Sequence, residues 1–254
     1  MTSVELLRSV AEAFQVRDIG TEGSRWHCEV DVPLPSHETV VYRLAVWQAG
    51  DGKVGVKELP GGRLPAGCPE RHINPGGSFC LNWSEGDPLS IVDEQGARAW
   101  WALLNSFLGR QETAATLRRW VGPAFAHGAA AAHQNTAEIA AATLGETFVS
   151  KLNERALSVR QRRQHWGVRT ELLDGRDVVA RLLADGKTLS NKQMLCVCGG
   201  SPSQPISKCG THLKDLTRLI VALKEWRKSE QQYFRELRKA RVLCCGTLDC
   251  CPLK

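Results

Sequence analysis

Nowhere in the 254 residues of this chain does an apolar run reach the roughly 18 positions that a membrane-spanning helix requires. The first residues also lack the basic stretch followed by an apolar one that marks a secretory signal. We therefore expect a cytoplasmic protein without a membrane span. Thiols stay reduced in that compartment, so the ten cysteines indicate metal binding or catalysis and argue against disulfides.

The charges that are present divide the chain into parts of opposite sign. Residues 1–150 carry 12 Lys and Arg against 17 Asp and Glu, a net charge of −5. Residues 151–190 carry 9 against 5, or +4, and residues 191–254 carry 12 against 5, or +7. Seven of the ten cysteines lie at or beyond Cys196. These differences predict a folded domain over 1–150, a basic connector over 151–190 and a cysteine-rich module over 191–254.

Hydropathy periods predict an α+β fold for the first of these parts. Thr2 and Glu5 fit a helix-capping box, and helical spacing predicts a first helix to about Val16. Alternating apolar residues then predict three strands, at about 25–32, 40–48 and 53–59. Their connections are too short for crossovers, so the strands form an antiparallel meander. After an irregular Pro- and Gly-rich segment, helices are predicted at about 100–120 and 129–144.

The remaining part of the chain is predicted to be helical. The connector over 151–190 contains an arginine-rich stretch, and its residues 177–183 are typical of a short helix. Residues 213–242 contain neither Gly nor Pro, and their apolar residues keep helical spacing. We therefore predict a long amphipathic helix with a basic outer face in this region.

Cys80 ends a nine-residue segment in which His, Asn, Gly and Cys occur together. A cysteine thiolate attacks activated acyl groups, and the thioester that results holds the acyl group in a transferable form. A neighbouring side-chain amide such as that of Asn74 can donate a hydrogen bond to the oxyanion of the tetrahedral intermediate. The alternative interpretation is a buried small apolar residue between Phe79 and Leu81.

This segment resembles the active-site signature of ubiquitin-conjugating enzymes, in which His-Pro-Asn precedes a short loop and Gly-x-aliphatic-Cys-Leu. The matching residues are His72, Asn74, Gly77, Phe79, Cys80 and Leu81. Ile73 stands where the signature has Pro, and Pro75 follows the Asn instead. The order of predicted elements is also similar over about residues 1–145. The chain resembles a bacterial member of this superfamily.

The resemblance implies a UBC-like (ubiquitin-conjugating-like) fold and a transferase activity. Cys80 would accept the C-terminus of a ubiquitin-like modifier, as a thioester, from an activating enzyme. Asn74 would stabilise the oxyanion while an amine of a protein target attacks, and His72 would hold the loop by hydrogen bonds. His127, which precedes a Gly at a helix start, is a candidate to activate the attacking amine; packing within the helical layer is its alternative role.

Two other functions stay open at this point. A cysteine hydrolase would pair Cys80 with His127 or His133, which requires a contact within hydrogen-bond reach. A non-catalytic adaptor would use the conjugating-like fold as a docking surface and a zinc-containing module as its binding end. The intact Cys80 argues against the adaptor.

Four candidate metal ligands occur within seventeen residues near the C-terminus: Cys196, Cys198, Cys209 and His212. Tetrahedral Zn²⁺ takes such ligands, and a pair–loop–pair layout brings them together. The pattern is similar to the SEC-C zinc motif, Cys-x-Cys-Gly followed by Lys-x-Cys and then Cys or His, with Lys208 near the expected position. We therefore predict a structural Zn²⁺ in a small helical module. Unrelated reduced thiols are the alternative.

The last residues are both basic and rich in cysteine. Beyond Trp226 and Tyr233, with Phe234 beside the latter, no aromatic residue is interleaved with the basic charges of this region, and so few stacking partners argue against nucleic-acid binding. Docking onto the acidic surface of a partner protein stays open. The last four cysteines are compatible with a second zinc site or with separate, oxidation-prone thiols: Cys244, Cys245, Cys250 and Cys251.

Overall fold

A computed structural model describes residues 1–50, 52–82, 89–122, 126–165, 167–200 and 204–254. The chain forms two units: one combines Met1–Ala124 with Glu236–Lys254, and the other is Phe125–Arg235. This division differs from the predicted three parts, because the end of the chain belongs to the first unit. None of the described helices is long and apolar enough to cross a membrane.

The first unit opens with helix α1 (Ser3–Ser9), whose capping box forms as predicted. The Thr2 hydroxyl accepts a hydrogen bond from the Glu5 amide at 3.2 Å. The Glu5 carboxylate in turn accepts one from the Thr2 amide at 2.6 Å. Two donors at the helix start are thereby satisfied by residues three positions apart.

The predicted extent of this first helix, to about Val16, is wrong. A 3₁₀ turn over Ala11–Phe14 follows α1, and strand β1 (Val16–Glu22) begins at Val16. Val16 is the one buried residue of β1, and the other six are exposed. An edge strand with so little apolar content carries no alternating hydropathy signal, so the sequence pattern could not reveal it.

The predicted meander is confirmed, with β1 added at its edge. The other strands are β2 (Arg25–Pro33), β3 (Thr39–Gly50) and β4 (Lys53–Glu58). The sheet order is β1-β2-β3-β4, and all neighbouring strands are antiparallel. Alternate residues of β2 and β3 are buried, which leaves one face of the sheet to pack on helices.

Helix α2 (Glu94–Leu117) covers this apolar face together with α1. The Asp93 carboxylate caps the start of α2 by accepting a hydrogen bond from the Gly96 amide at 2.7 Å. Trp101 at its centre is fully buried, and its indole N–H donates to the carbonyl of Leu7 at 3.0 Å. This hydrogen bond satisfies the indole N–H of the largest buried side chain. It therefore links α1 and α2 by a polar contact inside the core.

The second unit begins with two helices, α3 (Ala130–Leu144) and α4 (Glu146–Asn153). Three antiparallel strands follow: β5 (Leu157–Gln164), β6 (Gly167–Asp174) and β7 (Asp177–Leu182). The last helix, α5 (His212–Lys239), agrees with the predicted long helix. Apolar residues of all these elements share one buried cluster.

The predicted helical connector over 151–190 is therefore wrong, because most of it forms the sheet β5-β6-β7. Leu157 and Val159 are buried while Ser158 and Arg160 are exposed, a period of two that the run of arginines obscured. The predicted short helix at 177–183 is strand β7, joined to β6 by a turn in which Gly175 has φ of 58°. Both units thus combine helices with an antiparallel sheet, and the small C-terminal module is not purely helical.

The exposed face of this second sheet places its arginines around one carboxylate. Glu171 lies opposite Arg160 on β5 and Arg181 on β7. Its carboxylate accepts hydrogen bonds from Arg160 at 2.6 Å and from Arg181 at 3.2 Å, and Arg162 lies 3.3 Å away. The Arg160 hydrogen bond in particular holds the pKa of Glu171 below its usual range. Part of the positive charge of this segment is therefore compensated within the sheet.

Candidate active site and candidate metal centre

Cys80 lies in a loop that main-chain hydrogen bonds fold back on itself. Cys68 and Ile73 exchange two such bonds, at 2.8 and 3.0 Å. The Asn74 amide donates to the carbonyl of Ser78 at 2.8 Å, and the Cys80 amide donates to the carbonyl of His72 at 2.8 Å. The backbone on both sides of the thiol is therefore paired, which fixes the position of Cys80.

Apolar side chains anchor this loop to the core of the first unit. Ile73 is fully buried, and Phe79 is 8% exposed with its ring 5.0 Å from that of Phe107. The Phe79 amide also donates to the carbonyl of Val56 on β4 at 2.9 Å. The loop is thus attached to the sheet by its backbone and to α2 by its aromatic side chain.

A buried polar pair adds a second attachment that sequence reasoning missed. Arg71 is 2% exposed, and its guanidinium donates to the side chain of Gln111 at 2.7 Å and to its carbonyl at 2.9 Å. The amide of Gln111 donates back to the carbonyl of Arg71 at 2.7 Å. The sequence signal for this pair was a glutamine on the apolar stripe of α2. A buried side-chain amide requires hydrogen-bond partners, so its position there indicates a buried polar contact.

The side chain of His72 is buried. The residue has φ of 55° and is 4% exposed, and its ring packs edge-on against Trp120 at 5.1 Å. The backbone carbonyl of His72 accepts the hydrogen bond from the Cys80 amide. His72 supports the loop through its backbone and through ring packing.

Asn74 and Cys80 lie on the same face of the loop. Ile73 pairs with Phe79 in an antiparallel bridge, and both side chains enter the core. Because side chains alternate along paired strands, Asn74, Ser78 and Cys80 lie on the opposite face. The Asn74 amide donates to the Ser78 hydroxyl at 3.2 Å, in accord with this register. Diagonal neighbours in a regular antiparallel ladder have Cα atoms ~7–8 Å apart, so we expect Asn74 and Cys80 to be close enough to contact one bound group.

The thiol of Cys80 is half-buried. Burial raises the pKa of this thiol above its ordinary value, because the thiolate loses hydration. The thiol is therefore protonated at neutral pH. A cysteine activated by a neighbouring base has the opposite shift, because an imidazolium or another cation stabilises the thiolate.

The raised pKa predicts how alkylation of Cys80 depends on pH. The rate with iodoacetamide should keep rising above the ordinary thiol pKa of about 8.5, with a midpoint higher than that of the free peptide Ser78–Asn82. Tryptic peptide His72–Arg98 contains Cys80 as its single cysteine and reports the modification. A midpoint at or below that of the free peptide would instead indicate a basic partner beside the thiol.

His127 belongs to the second unit and is bound to α5. Its amide donates to the Glu230 carboxylate at 2.6 Å, and its Nδ1 lies 3.1 Å from the same carboxylate. The ring stacks on Tyr233 at 4.8 Å and meets Phe234 edge-on at 5.3 Å. Glu230, Tyr233 and Phe234 share one helix face, so these contacts support the packing role of His127. His133 lies on α3 and is half-buried.

The structure brings the four predicted metal ligands together in the second unit. The ligand atoms of Cys196, Cys198, Cys209 and His212 all lie within 4.8 Å of one another. The sulfurs of Cys198 and Cys209 are 3.8 Å apart, and His212 Nδ1 is 3.1 and 3.2 Å from the sulfurs of Cys196 and Cys209. Two sulfurs at ~2.3 Å from one tetrahedral Zn²⁺ are ~3.8 Å apart, so this donor set can hold a metal ion.

Main-chain hydrogen bonds connect the segments that contain these ligands. The Cys196 amide donates to the carbonyl of Gln204 at 2.8 Å, and the Ile206 amide donates to Met194 at 2.9 Å. The His212 amide donates to the carbonyl of Cys209 at 3.1 Å at the start of α5. Ile206 is fully buried in the core of the second unit. Ile206 is thus the fully buried anchor of the ligand loop, and Met194 and Val197 pack against the same core while partly exposed.

One of the four thiols is already acidic in this arrangement. The Gly200 amide is the main cause that lowers the pKa of Cys198 to about 7, and the Cys196 thiol adds to it. Burial in contrast raises the pKa of Cys196 to about 11. A metal ligand must be deprotonated, so metal binding at this site releases protons.

Comparison with known families divides the chain near residue 125, and it assigns residues 236–253 of the first unit to the C-terminal family. Residues 19–123, which include the Cys80 loop, match the family described as a prokaryotic E2 domain. Residues 19–123 therefore form an E2-like domain. Residues 126–253, about half of the chain, match the family described as a cysteine-rich domain, C-terminal to E2 domain. The chain belongs to this family. Searches of curated proteins and of solved structures found no match.

Proposed function

We propose that this protein is a conjugating enzyme that carries a ubiquitin-like modifier as a thioester on Cys80 and transfers it to an amine of a protein target. The observation that carries the proposal is the position of Cys80 inside the E2-matched residues, on a loop anchored to sheet and helix. The partners would be an activating enzyme, the modifier and the target. The activity would take place in the cytoplasm of a bacterium.

The first chemical step would transfer the modifier to Cys80. The thiol loses its proton, and the thiolate attacks the carbonyl carbon of the thioester on the activating enzyme. The bond from that carbon to the sulfur of the activating enzyme breaks, and the released thiolate takes up a proton. The half-buried position of Cys80 lets the carbonyl approach from the open face of the loop while the backbone stays fixed.

The second step would form the amide. A neutral amine attacks the thioester carbonyl, the carbon–sulfur bond breaks, and a proton moves from the amine to leave Cys80 as a thiol. Negative charge develops on the carbonyl oxygen in between. The side-chain amide of Asn74, which donates to the Ser78 hydroxyl on the same face as Cys80, can turn to donate to that oxygen.

We expect Asn74→Ala to separate the two steps. Loading of Cys80 should stay near wild type, whereas discharge to free lysine should slow by ~10²–10³-fold, the usual effect of losing one oxyanion donor. Single-turnover discharge of a preloaded protein measures this rate. Ser78→Ala is the matched control, because it removes the present partner of Asn74 and leaves the donor. Discharge at the wild-type rate in Asn74→Ala would assign the oxyanion to another group.

The pKa of Cys80 favours this function over a cysteine hydrolase. A hydrolase of that type needs a base that lowers the pKa of its nucleophile, but burial raises the pKa of this thiol. His127, the first candidate for such a base, holds the carboxylate of Glu230. The hydrolase is therefore the weaker candidate.

The cysteine-rich unit would contain a structural zinc ion. Three thiols and one imidazole make a closed set of four ligands, typical of structural sites that leave no position for a substrate. The similarity to the SEC-C motif agrees with this assignment. The ion would connect the loop before Cys196 to the start of α5, because His212 is the first residue of that helix.

A loading assay tests the proposed activity. The full chain is incubated with ATP and with the candidate activating enzyme and modifier encoded beside it. A covalent adduct that reducing agent cleaves is the expected result. An adduct that resists both reducing agent and hydroxylamine, or no adduct with an activating enzyme that is itself loaded, would contradict the proposal.

A further inference from the structure

Within the first unit, the C-terminal segment of the chain, residues 242–254, packs against residues of the E2-like part. The proposed transferase activity does not explain these contacts. Leu248 is 1% exposed and packs with Cys68 and Ala114. The Asp249 carboxylate accepts a hydrogen bond from Arg118 Nε at 2.7 Å, and the Asp249 amide donates to the carbonyl of Arg118 at 2.9 Å. An apolar anchor and a charged pair therefore fix the position of this segment.

This docking brings two cysteines from distant parts of the sequence into contact. The sulfurs of Cys68 and Cys245 are 2.7 Å apart, although 177 positions separate them. Cys68 is 1% exposed, and Cys245 is half-buried. A disulfide needs such proximity, with a small rotation of either side chain.

We propose that Cys68 and Cys245 form a reversible disulfide that fastens the C-terminal segment to the loop carrying Cys80. Cys68 exchanges two main-chain hydrogen bonds with Ile73, the residue between His72 and Asn74. The bond would therefore join the segment to the base of the proposed active-site loop. The inference rests on the contacts of the first unit and does not depend on the activity of Cys80.

The environment of the two thiols gives the order of the reaction. Burial acts against the thiolate of Cys245, but hydrogen bonds with Cys68 and Thr247 lower the net pKa of this thiol. Burial, together with the neighbouring Cys245, raises the pKa of Cys68 to about 12. Cys245 is also the more accessible of the two. It is therefore the thiol that reacts first with an oxidant in solution.

The oxidant is a small disulfide such as oxidised glutathione. The Cys245 thiolate attacks one of its sulfurs, forms a mixed disulfide and releases one glutathione thiolate. That thiolate takes the proton of Cys68, whose sulfur then attacks the Cys245 sulfur and releases the second glutathione. The protein loses two hydrogen atoms, and two molecules of glutathione are formed.

Peptide mapping of the full chain tests this bond. The protein is treated with oxidised glutathione and digested with trypsin without reduction. Peptide Leu64–Arg71 contains Cys68 as its single cysteine, whereas Val242–Lys254 contains four. The triple variant Cys244→Ser, Cys250→Ser and Cys251→Ser leaves Cys245 alone in that peptide. We expect the two peptides to be covalently linked in this variant and to separate after reduction.

Two further variants make the result decisive. Cys245→Ser should abolish the link, and Cys28→Ala, which removes another buried cysteine of the same unit, should keep it. Oxidation should raise the melting temperature of wild type, and Cys245→Ser should lose that increase. A link among the tail cysteines alone, no link at all, or a second metal ion per chain that Cys245→Ser removes would each overturn the proposal.

Discussion

Replacing Cys80 by Ala should abolish the adduct with the modifier, because Cys80 is half-buried whereas Cys68, the thiol at the base of the same loop, is 1% exposed. Cys80→Ser should form an adduct that reducing agent no longer cleaves, since the carbonyl is then bound to oxygen as an ester. Loading assays with and without reducing agent distinguish the two results. The loss expected for Cys80→Ala is complete.

The matched control for this experiment is Cys250→Ser. Cys250 is an exposed cysteine of the same unit, and it lies outside the proposed active-site loop. This variant should load at the wild-type rate. An undiminished, reducible adduct on Cys80→Ala would assign the thioester to another cysteine, and loss of loading in Cys250→Ser would point to the C-terminal segment instead.

Removal of the metal should unfold the ligand loop of the second unit. Metal binding supplies about 10–16 kcal/mol in isolated zinc-finger peptides, and a loop with one buried apolar anchor depends on such a contribution. After strong chelation, the protected amides of Cys196 and Ile206 should exchange hydrogen rapidly. The strand amides of β2 and β3 should remain protected, because the first unit has its own core. Hydrogen exchange followed by mass spectrometry measures both.

Metal analysis of variants gives an independent measure of the same site. The full chain should contain one zinc ion, and Cys198→Ser or Cys209→Ser should lose most of it. Cys28→Ala is the control, because Cys28 is a buried cysteine far from the ligand set in sequence and in the other unit. Zinc retained at one ion per chain in both ligand variants, or absent from wild type purified without chelator, would contradict a zinc site.

The features that could be predicted from the sequence are those encoded locally. Strands β2 to β4 follow from alternation within each strand, and α5 follows from an uninterrupted helical period. The metal ligands lie within seventeen residues, so their spacing in the sequence was enough to predict that they cluster. The Cys80 segment was recognised by a short signature for the same reason. Each of these signals needs only neighbours in the chain.

The features that were missed depend on residues far apart in the sequence. Arg71 and Gln111 are 40 positions apart, and His127 and Glu230 are 103 positions apart. A single sequence contains no information on which distant residues meet. The sheet β5-β6-β7 was missed for a different reason. Its exposed face contains arginines that pair with Glu171, and this run of charged residues obscured the alternation of buried and exposed residues along the strands.

Mapping the modifier on wild-type protein tests the central claim most directly. Tryptic peptide His72–Arg98 contains Cys80 as its single cysteine and contains no lysine. An attachment there that both reducing agent and hydroxylamine cleave is therefore a thioester on Cys80. The loaded protein is digested with trypsin at mildly acidic pH, which preserves the thioester, without reducing agent and is analysed by mass spectrometry. We predict that this peptide carries the C-terminal residues of the modifier and loses them on reduction. A reducible adduct found on any other peptide, with His72–Arg98 unmodified, would contradict the account.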